Sequence, residues 1–183
     1  MNSIYKSFFC FMFLFLFSIY LPNVNIYAQE IESLTPEQDS LLSIAYRYIE
    51  DVRFCSLVTI DSEGYAHART MDPFQPDENW VIWLGTNPKS RKVNEIKNDQ
   101  KVTLYYTSNK GEGYVSIIGT ASLVNDQNKK DSLFKDEWSR FYKDKKENYL
   151  LIKVVPKKLE ILNYKLGIFG DKETWKTPSV IFK

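Results

Sequence analysis

Histidine and cysteine are almost missing from this 183-residue chain, which carries one of the first, His67, and two of the second, Cys10 and Cys55. Zinc catalysis on three nitrogen or sulfur ligands has too little to build on. No Gly-x-Ser-x-Gly elbow is present, and a Ser-His-Asp triad would have to form around His67, which sits in mid-strand two residues before Arg69. Net charge is lacking too: 24 Lys+Arg face 23 Asp+Glu, where a duplex-binding protein shows a basic excess that neutralises phosphates. Glycine-rich cradles are absent as well. Gly111-Glu112-Gly113 begins like a dinucleotide fingerprint, but Ser116 stands where the third glycine belongs and a strand follows instead of a helix, so the segment is a turn. There is no Gly-x-x-x-x-Gly-Lys-Ser/Thr loop for a nucleoside triphosphate.

What is present is unevenly spread. Six of the 12 Phe and three of the 12 Tyr fall within the first 28 residues. Lys6 lies before an apolar run from Ser7 to Leu21, and Pro22-Asn23-Val24-Asn25 breaks that run. This is the order of a secretory signal, too short to span a bilayer, and it predicts cleavage after Ala28. An uncleaved membrane anchor is the alternative. Cleavage leaves 155 residues with 23 basic and 23 acidic side chains and Cys55 as the lone thiol, so no intramolecular disulfide supports the fold. Hydrophobic residues make up 44% of the chain, enough for one cored domain spanning 29–183.

Thr35-Pro36-Glu37-Gln38 has the pattern of a capping box with proline in the first turn. Leu41, Leu42, Ala45, Tyr46, Ile49 and Val52 recur at helical spacing and predict a helix to about Asp51. From Phe54 the period becomes two. Phe54–Ile60 and Tyr65–Met71 read as a hairpin around Asp61-Ser62-Glu63-Gly64, with Tyr65, His67, Arg69 and Met71 on one face. Trp80–Leu84 is a strand and a short helix begins around Ser90. Lys101–Ser108 and Tyr114–Asn125 are further strands, Asp131–Tyr142 a helix showing Leu133, Phe134, Trp138 and Phe141, and Tyr149–Val155 and Leu159–Tyr164 two more strands. Consecutive hairpins favour a mainly β, α+β fold: an antiparallel sheet of six to seven strands closing on itself, with flanking helices.

The stretch from Thr86 through Ser90, Arg91 and Lys92 joins a buried strand to a helix start and presents hydroxyls, a guanidinium and an ammonium. Such a set at a positive dipole end suits a phosphate dianion, though a capped helix with a solvated basic run has the same spacing. Arg69 adds to it, because a charge on an otherwise half-apolar strand face needs an anion. His67 is a strand residue, hydrogen-bonded or lining a pocket, with a proton carrier as the other reading.

On these residues the chain resembles the pyridoxamine 5'-phosphate oxidase-like flavoproteins with the FMN-binding split-barrel fold, over roughly Ser33 to Phe182. The landmarks are Ala68-Arg69-Thr70-Met71, Trp83 through Lys92, Val102-Thr103-Leu104-Tyr105-Tyr106 and Tyr114 through Ala121. The general stress protein branch is the most similar, sharing the helix with Trp138 and the closing segment Gly167–Phe182 with Trp175-Lys176-Thr177-Pro178. The resemblance implies FMN as cofactor, with Arg69, Ser90, Arg91 and Lys92 as phosphate ligands. It implies that Thr70, Met71 and Thr86 line the flavin or ribityl chain, and it puts Tyr114 where relatives place a glutamine near the ring. It also implies a homodimer with the flavin at the interface. Phe74 stands where true pyridoxamine phosphate oxidases have a substrate-contacting lysine, and the substrate-phosphate set is not recognisable, which argues against vitamin B6 oxidation. The expected protein is an exported FMN-dependent oxidoreductase acting on a small molecule. The alternatives are a flavin- or haem-binding carrier module and a nitro-compound reductase.

Overall fold

Thr35 starts the first helix as its sequence requires: in the computed structural model its hydroxyl accepts from the Gln38 N–H, and the Gln38 side chain accepts from the Thr35 N–H at 2.9 Å. The structure describes residues 35–108 and 110–183, so the expected signal segment lies outside the described residues. Helix α1 (Pro36–Val52) buries Leu42, Ala45, Tyr48 and Ile49. Tyr48 belongs to that face although it was not expected there. Its hydroxyl donates to the Gly113 carbonyl at 2.7 Å and accepts from the Ser108 N–H, so a polar tip is satisfied inside. Tyr46, expected to point inward, is half exposed and meets Trp80 edge-on.

The hairpin of β1 (Cys55–Ile60) and β2 (Ala66–Met71) turns on Asp61, whose carboxylate accepts from the Glu63 and Tyr65 N–H groups, with Gly64 at φ 89°. Then follow β3 (Ile82–Thr86), α2 (Arg91–Asn98), β4 (Lys101–Thr107), β5 (Gly113–Val124), α3 (Gln127–Ser132), a 3-10 helix (Asp136–Arg140), α4 (Lys145–Asn148), β6 (Leu150–Asn163) and β7 (Ser179–Ile181). All pairings are antiparallel in the order β2-β1-β4-β5-β6-β3, with β7 added to β6. The expected antiparallel sheet is therefore present with seven strands.

Two further expectations need correction, and β7 answers to no expected strand. The strands predicted at Tyr149–Val155 and Leu159–Tyr164 are one strand, β6. Pro156 cannot donate to a ladder, but it does not end the strand, because a bulge sets Pro156 opposite Gly119 and leaves Lys157 as the extra residue. A side chain at Gly119 would meet the Val155 carbonyl at 2.3 Å, so only glycine allows this approach. The first half of β6 pairs with β3 and the second half with β7, while β5 follows its other edge throughout. The helix predicted over Asp131–Tyr142 is likewise interrupted. α3 ends at Ser132, and the 3-10 helix begins at Asp136 with Trp138 buried and Phe141 exposed.

The register sorts the sheet into two faces. One inner row runs Arg69, Leu57, Leu104, Ile117, Leu159, Val180, all but the first fully buried. The neighbouring outer row runs Thr70, Ser56, Tyr105, Ser116, Glu160, Ser179 and is mostly hydroxyl-bearing. The inner rows form the main core together with α1, and a smaller aromatic core gathers Trp138, Tyr149 and Leu151 with Phe74, Trp83, Phe134 and Tyr142.

Candidate functional site

Arg69 stands at the β2 end of an inner apolar row, a place where a guanidinium needs partners. It has them. One nitrogen donates to the Thr59 hydroxyl and, at 3.3 Å, to the Leu57 carbonyl, and another reaches Glu95 Oε2 at 2.8 Å. The anion that the sequence demanded is thus supplied within the chain by Glu95, from the middle of α2. Sequence reasoning missed both Glu95 and Thr59. Glu95 carried a signal, its position four residues after Arg91, and Thr59 carried one in its alternation with Leu57.

Glu95 is 3% exposed and is shared, since Arg91 Nε lies 2.8 Å from its Oε1. That Arg91 N–H is not aimed at the oxygen, so Oε1 is buried with a charge beside it but no hydrogen bond. Burial pushes the Glu95 carboxyl up, but the Thr59 hydroxyl and the Arg69 and Arg91 guanidinium groups outweigh it and hold the group below the usual carboxylate range.

The β3–α2 loop supplies the other half. Asn87 accepts the Lys89 N–H on its side chain and the Ser90 N–H on its carbonyl, which bends the chain tightly into α2. Ser90 occupies the N-cap position, yet its hydroxyl does not cap the helix. It faces the buried Thr86 hydroxyl at 3.0 Å, and Lys92 Nζ donates to the same Thr86 oxygen at 3.2 Å. Lys92 is half-buried and has no carboxylate in ion-pair contact among the described residues. Burial and then Arg69 and Arg91 push its ammonium below the ordinary lysine value, with Glu95 opposing them.

Arg69, Thr86, Ser90, Arg91 and Lys92 therefore meet in one cluster, as the sequence suggested. Arg69 and Arg91 share a single carboxylate, that of Glu95, while Lys92 rests on the Thr86 and Ser90 hydroxyl pair, so the cluster retains an excess of positive charge at the start of an eight-residue helix. An oxyanion with two negative charges fits that excess, and the donors are hydroxyl, guanidinium and ammonium groups of the kind that bind phosphate.

The other three expected residues lie elsewhere. Thr70 is exposed on the opposite face of β2, and Met71 packs against the main core. Tyr114, at the start of β5, lies tilted against Tyr105 with ring centroids 5.2 Å apart, and its hydroxyl is 3.3 Å from that of Thr177 in the closing segment. His67 shares the inner face of β2 with Arg69, and its Nε2 lies 2.7 Å from Asp61 Oδ2, the carboxylate that organises the hairpin turn.

Residues 44–165 match the family model described as "Pyridoxamine 5'-phosphate oxidase like", a span that contains every residue of the cluster. General stress protein 26 of Bacillus subtilis (strain 168) is 26% identical over 112 residues, 59% of this chain and 78% of that protein. A Clostridium acetobutylicum protein related to general stress protein 26 superposes with a TM-score of 0.65 at 18% identity, covering 78% of this chain and 95% of its own. The structure of a pyridoxamine 5'-phosphate oxidase-related, FMN binding protein from Nostoc punctiforme PCC 73102 gives 0.58 at 14% identity, covering 82% and 98%. These likenesses show the fold to be that of the split barrels.

Proposed function

Since the chain belongs to the pyridoxamine 5'-phosphate oxidase-like family, we propose that it is an FMN-dependent oxidoreductase that anchors its cofactor by the phosphate at the Thr86–Lys92 loop. One observation carries this reading: Arg69, Arg91 and Lys92 converge beside the Thr86 and Ser90 hydroxyls with only Glu95 against them. The FMN-binding description of the Nostoc punctiforme relative supports the same cofactor. Arg91 and Lys92 would take phosphate oxygens, Ser90 and Thr86 would hydrogen-bond them, and Arg69 would hold the inner edge of the site. Bound flavin supplies hydride and electron transfer, and the protein's part is to bind, orient and exclude water.

Thr70 and Tyr114 share the outer sheet face, which a second copy would cover in the homodimer proposed here. Residues 1–28 direct export in this reading, and the intact mass of the secreted protein tests it, since retention of Met1–Ala28 contradicts cleavage.

The deciding experiment is reconstitution. Purified protein titrated with FMN should quench flavin fluorescence and shift the flavin absorbance bands, and a protein that does neither is not a flavoprotein. Reduction of the bound flavin by a nicotinamide donor, followed by reoxidation, is expected of an oxidoreductase. Bound flavin that no donor reduces would make the protein a carrier.

A further inference from the structure

Three cations packed on one side of a small helix repel one another, and nothing in the loop itself explains why they stay together before any anion arrives. Arg69 comes from β2, Arg91 and Lys92 from the first turn of α2, and Thr86 from the end of β3. Among the described residues, the single group that touches two of the three is Glu95: its Oε2 is 2.8 Å from an Arg69 nitrogen and its Oε1 is 2.8 Å from Arg91 Nε. It accepts from the Thr59 hydroxyl as well, which ties it to β1. We infer that Glu95 is a positioning residue of the anion site: its buried carboxylate pins Arg69 and Arg91 at fixed places and is the counter-charge that lets Lys92 share their face as an ammonium.

The placement explains why a carboxylate should sit inside a site built for anions. With Glu95 present the four charged groups sum to two positive charges, which matches a phosphate monoester dianion. Without it they would sum to three, and the half-buried Lys92 is the group that can relieve the excess by losing its proton, because a guanidinium does not titrate in proteins. Among the described residues, the charges acting on Lys92 are Arg69 from β2 and Arg91 and Glu95 from α2, and its hydroxyl partner is Thr86 at the end of β3, itself bonded to Ser90. The next titratable group on the inner face of β2, His67, is already paired with Asp61.

The test separates this inference from the flavin reading on which it rests. In the ligand-free protein, the Cε resonance of Lys92 is followed by NMR through an alkaline titration, in the wild type, in Glu95→Gln and in Lys92→Arg for assignment. Glu95→Gln keeps the size and acceptor oxygen of the side chain while removing its charge, and it should move the Lys92 midpoint to lower pH. An unmoved midpoint overturns the role given to Glu95, whether or not flavin binds. FMN titrations at pH 7 and pH 9 form the second arm. Glu95→Gln should lose about tenfold in FMN affinity between the two pH values, the scale of one charge-assisted contact, and Glu95→Gln combined with Lys92→Arg should abolish that loss. A loss that persists in the double variant contradicts the role of Lys92 as the titrating group. Riboflavin, which lacks the phosphate, should bind with the same affinity at both pH values in every variant. If no form of the protein binds FMN, the flavin reading fails while the NMR arm still decides the inference.

Discussion

Lys92 and Arg69 both belong to the cation cluster, but their substitutions should differ in kind. Lys92 donates one hydrogen bond, to Thr86, and is half exposed, so Lys92→Ala should weaken FMN by about 1.5 to 3 kcal/mol and leave the unfolding midpoint nearly unchanged. Arg69 also balances a buried carboxylate. Arg69→Ala should cost a similar amount of binding and, in addition, about 3 kcal/mol of stability, because Glu95 loses its guanidinium partner inside the protein. Calorimetric titration with FMN and urea unfolding of both variants check this, and equal stability of the two would refute the assigned pairing. At this scale the need was legible before the partner was. Alternation along β2 put Arg69 on a half-apolar face and so demanded an anion, but the residue that answers lies 26 positions away on another element, and nothing local names it. The Tyr46 and Tyr48 exchange has a similar cause. Both flank the apolar stripe of α1, and only the carbonyl of Gly113 and the N–H of Ser108, brought in by β4 and β5, decide which of the two is buried.

Elements show the same division more sharply. β3 delivers Thr86 to the site, and the residue before it, Gly85, packs directly against the small aromatic core. A Cβ there would lie 2.5 Å from Tyr149 Cε2 and 2.7 Å from Trp138 Cζ3. Gly85→Ala should therefore destabilise the protein by about 1 to 3 kcal/mol and displace the end of β3, weakening FMN as well, as thermal melts and flavin titration would show. The segment predicted as one helix over Asp131–Tyr142 has the right apolar periodicity but not the right continuity. Lys135 reaches Asp72 at 2.7 Å and the Pro73 carbonyl at 2.8 Å, and the Trp138 indole N–H donates to Asp72 at 3.1 Å, so side-chain bonds to the end of β2 accompany the break. Arg53 adds a bond to the same carboxylate. Burial pushes the Asp72 carboxyl up, yet Arg53, Lys135 and Trp138 together hold it below its ordinary value. Asp72→Ala should cost about 2 kcal/mol, with the loss seen at pH 7 and not at a pH low enough to protonate the native carboxyl.

Across the whole molecule, Asp72 and Glu95 set the direction of the acid response. Both carboxyls titrate below their unfolded values, so on acidification the unfolded chain takes up its protons first. The stability they contribute is complete only above about pH 5, clear of the unfolded carboxyl values, and is lost as pH falls through their native values, and urea midpoints measured between neutral and acid pH should fall accordingly. The outer sheet face, with Thr70, Ser56, Tyr105 and Ser116 in one row, should be covered by a second copy in the proposed homodimer, and sedimentation of the protein should give twice the chain mass. A monomer at micromolar concentration would contradict that arrangement. By itself the amino-acid sequence determined the first helix with its cap, the alternation of the first hairpin, the antiparallel class of the sheet and the loop from Thr86 to Lys92, because caps, turns and periodicities are properties of neighbouring residues, whereas the three-residue β7 left no such signal. It also carried the family, through motifs that remain contiguous along the chain. Tertiary structure alone decided that β6 continues past Pro156, since the bulge requires Gly119 from another strand. It alone brought Glu95 and Thr59 to Arg69, and it alone set Thr70 and Tyr114 apart from the cation cluster. Those outcomes depend on charge and packing between segments distant in sequence, and local pattern, which can place Glu95 beside Arg91 on one helix, does not say which strand faces them.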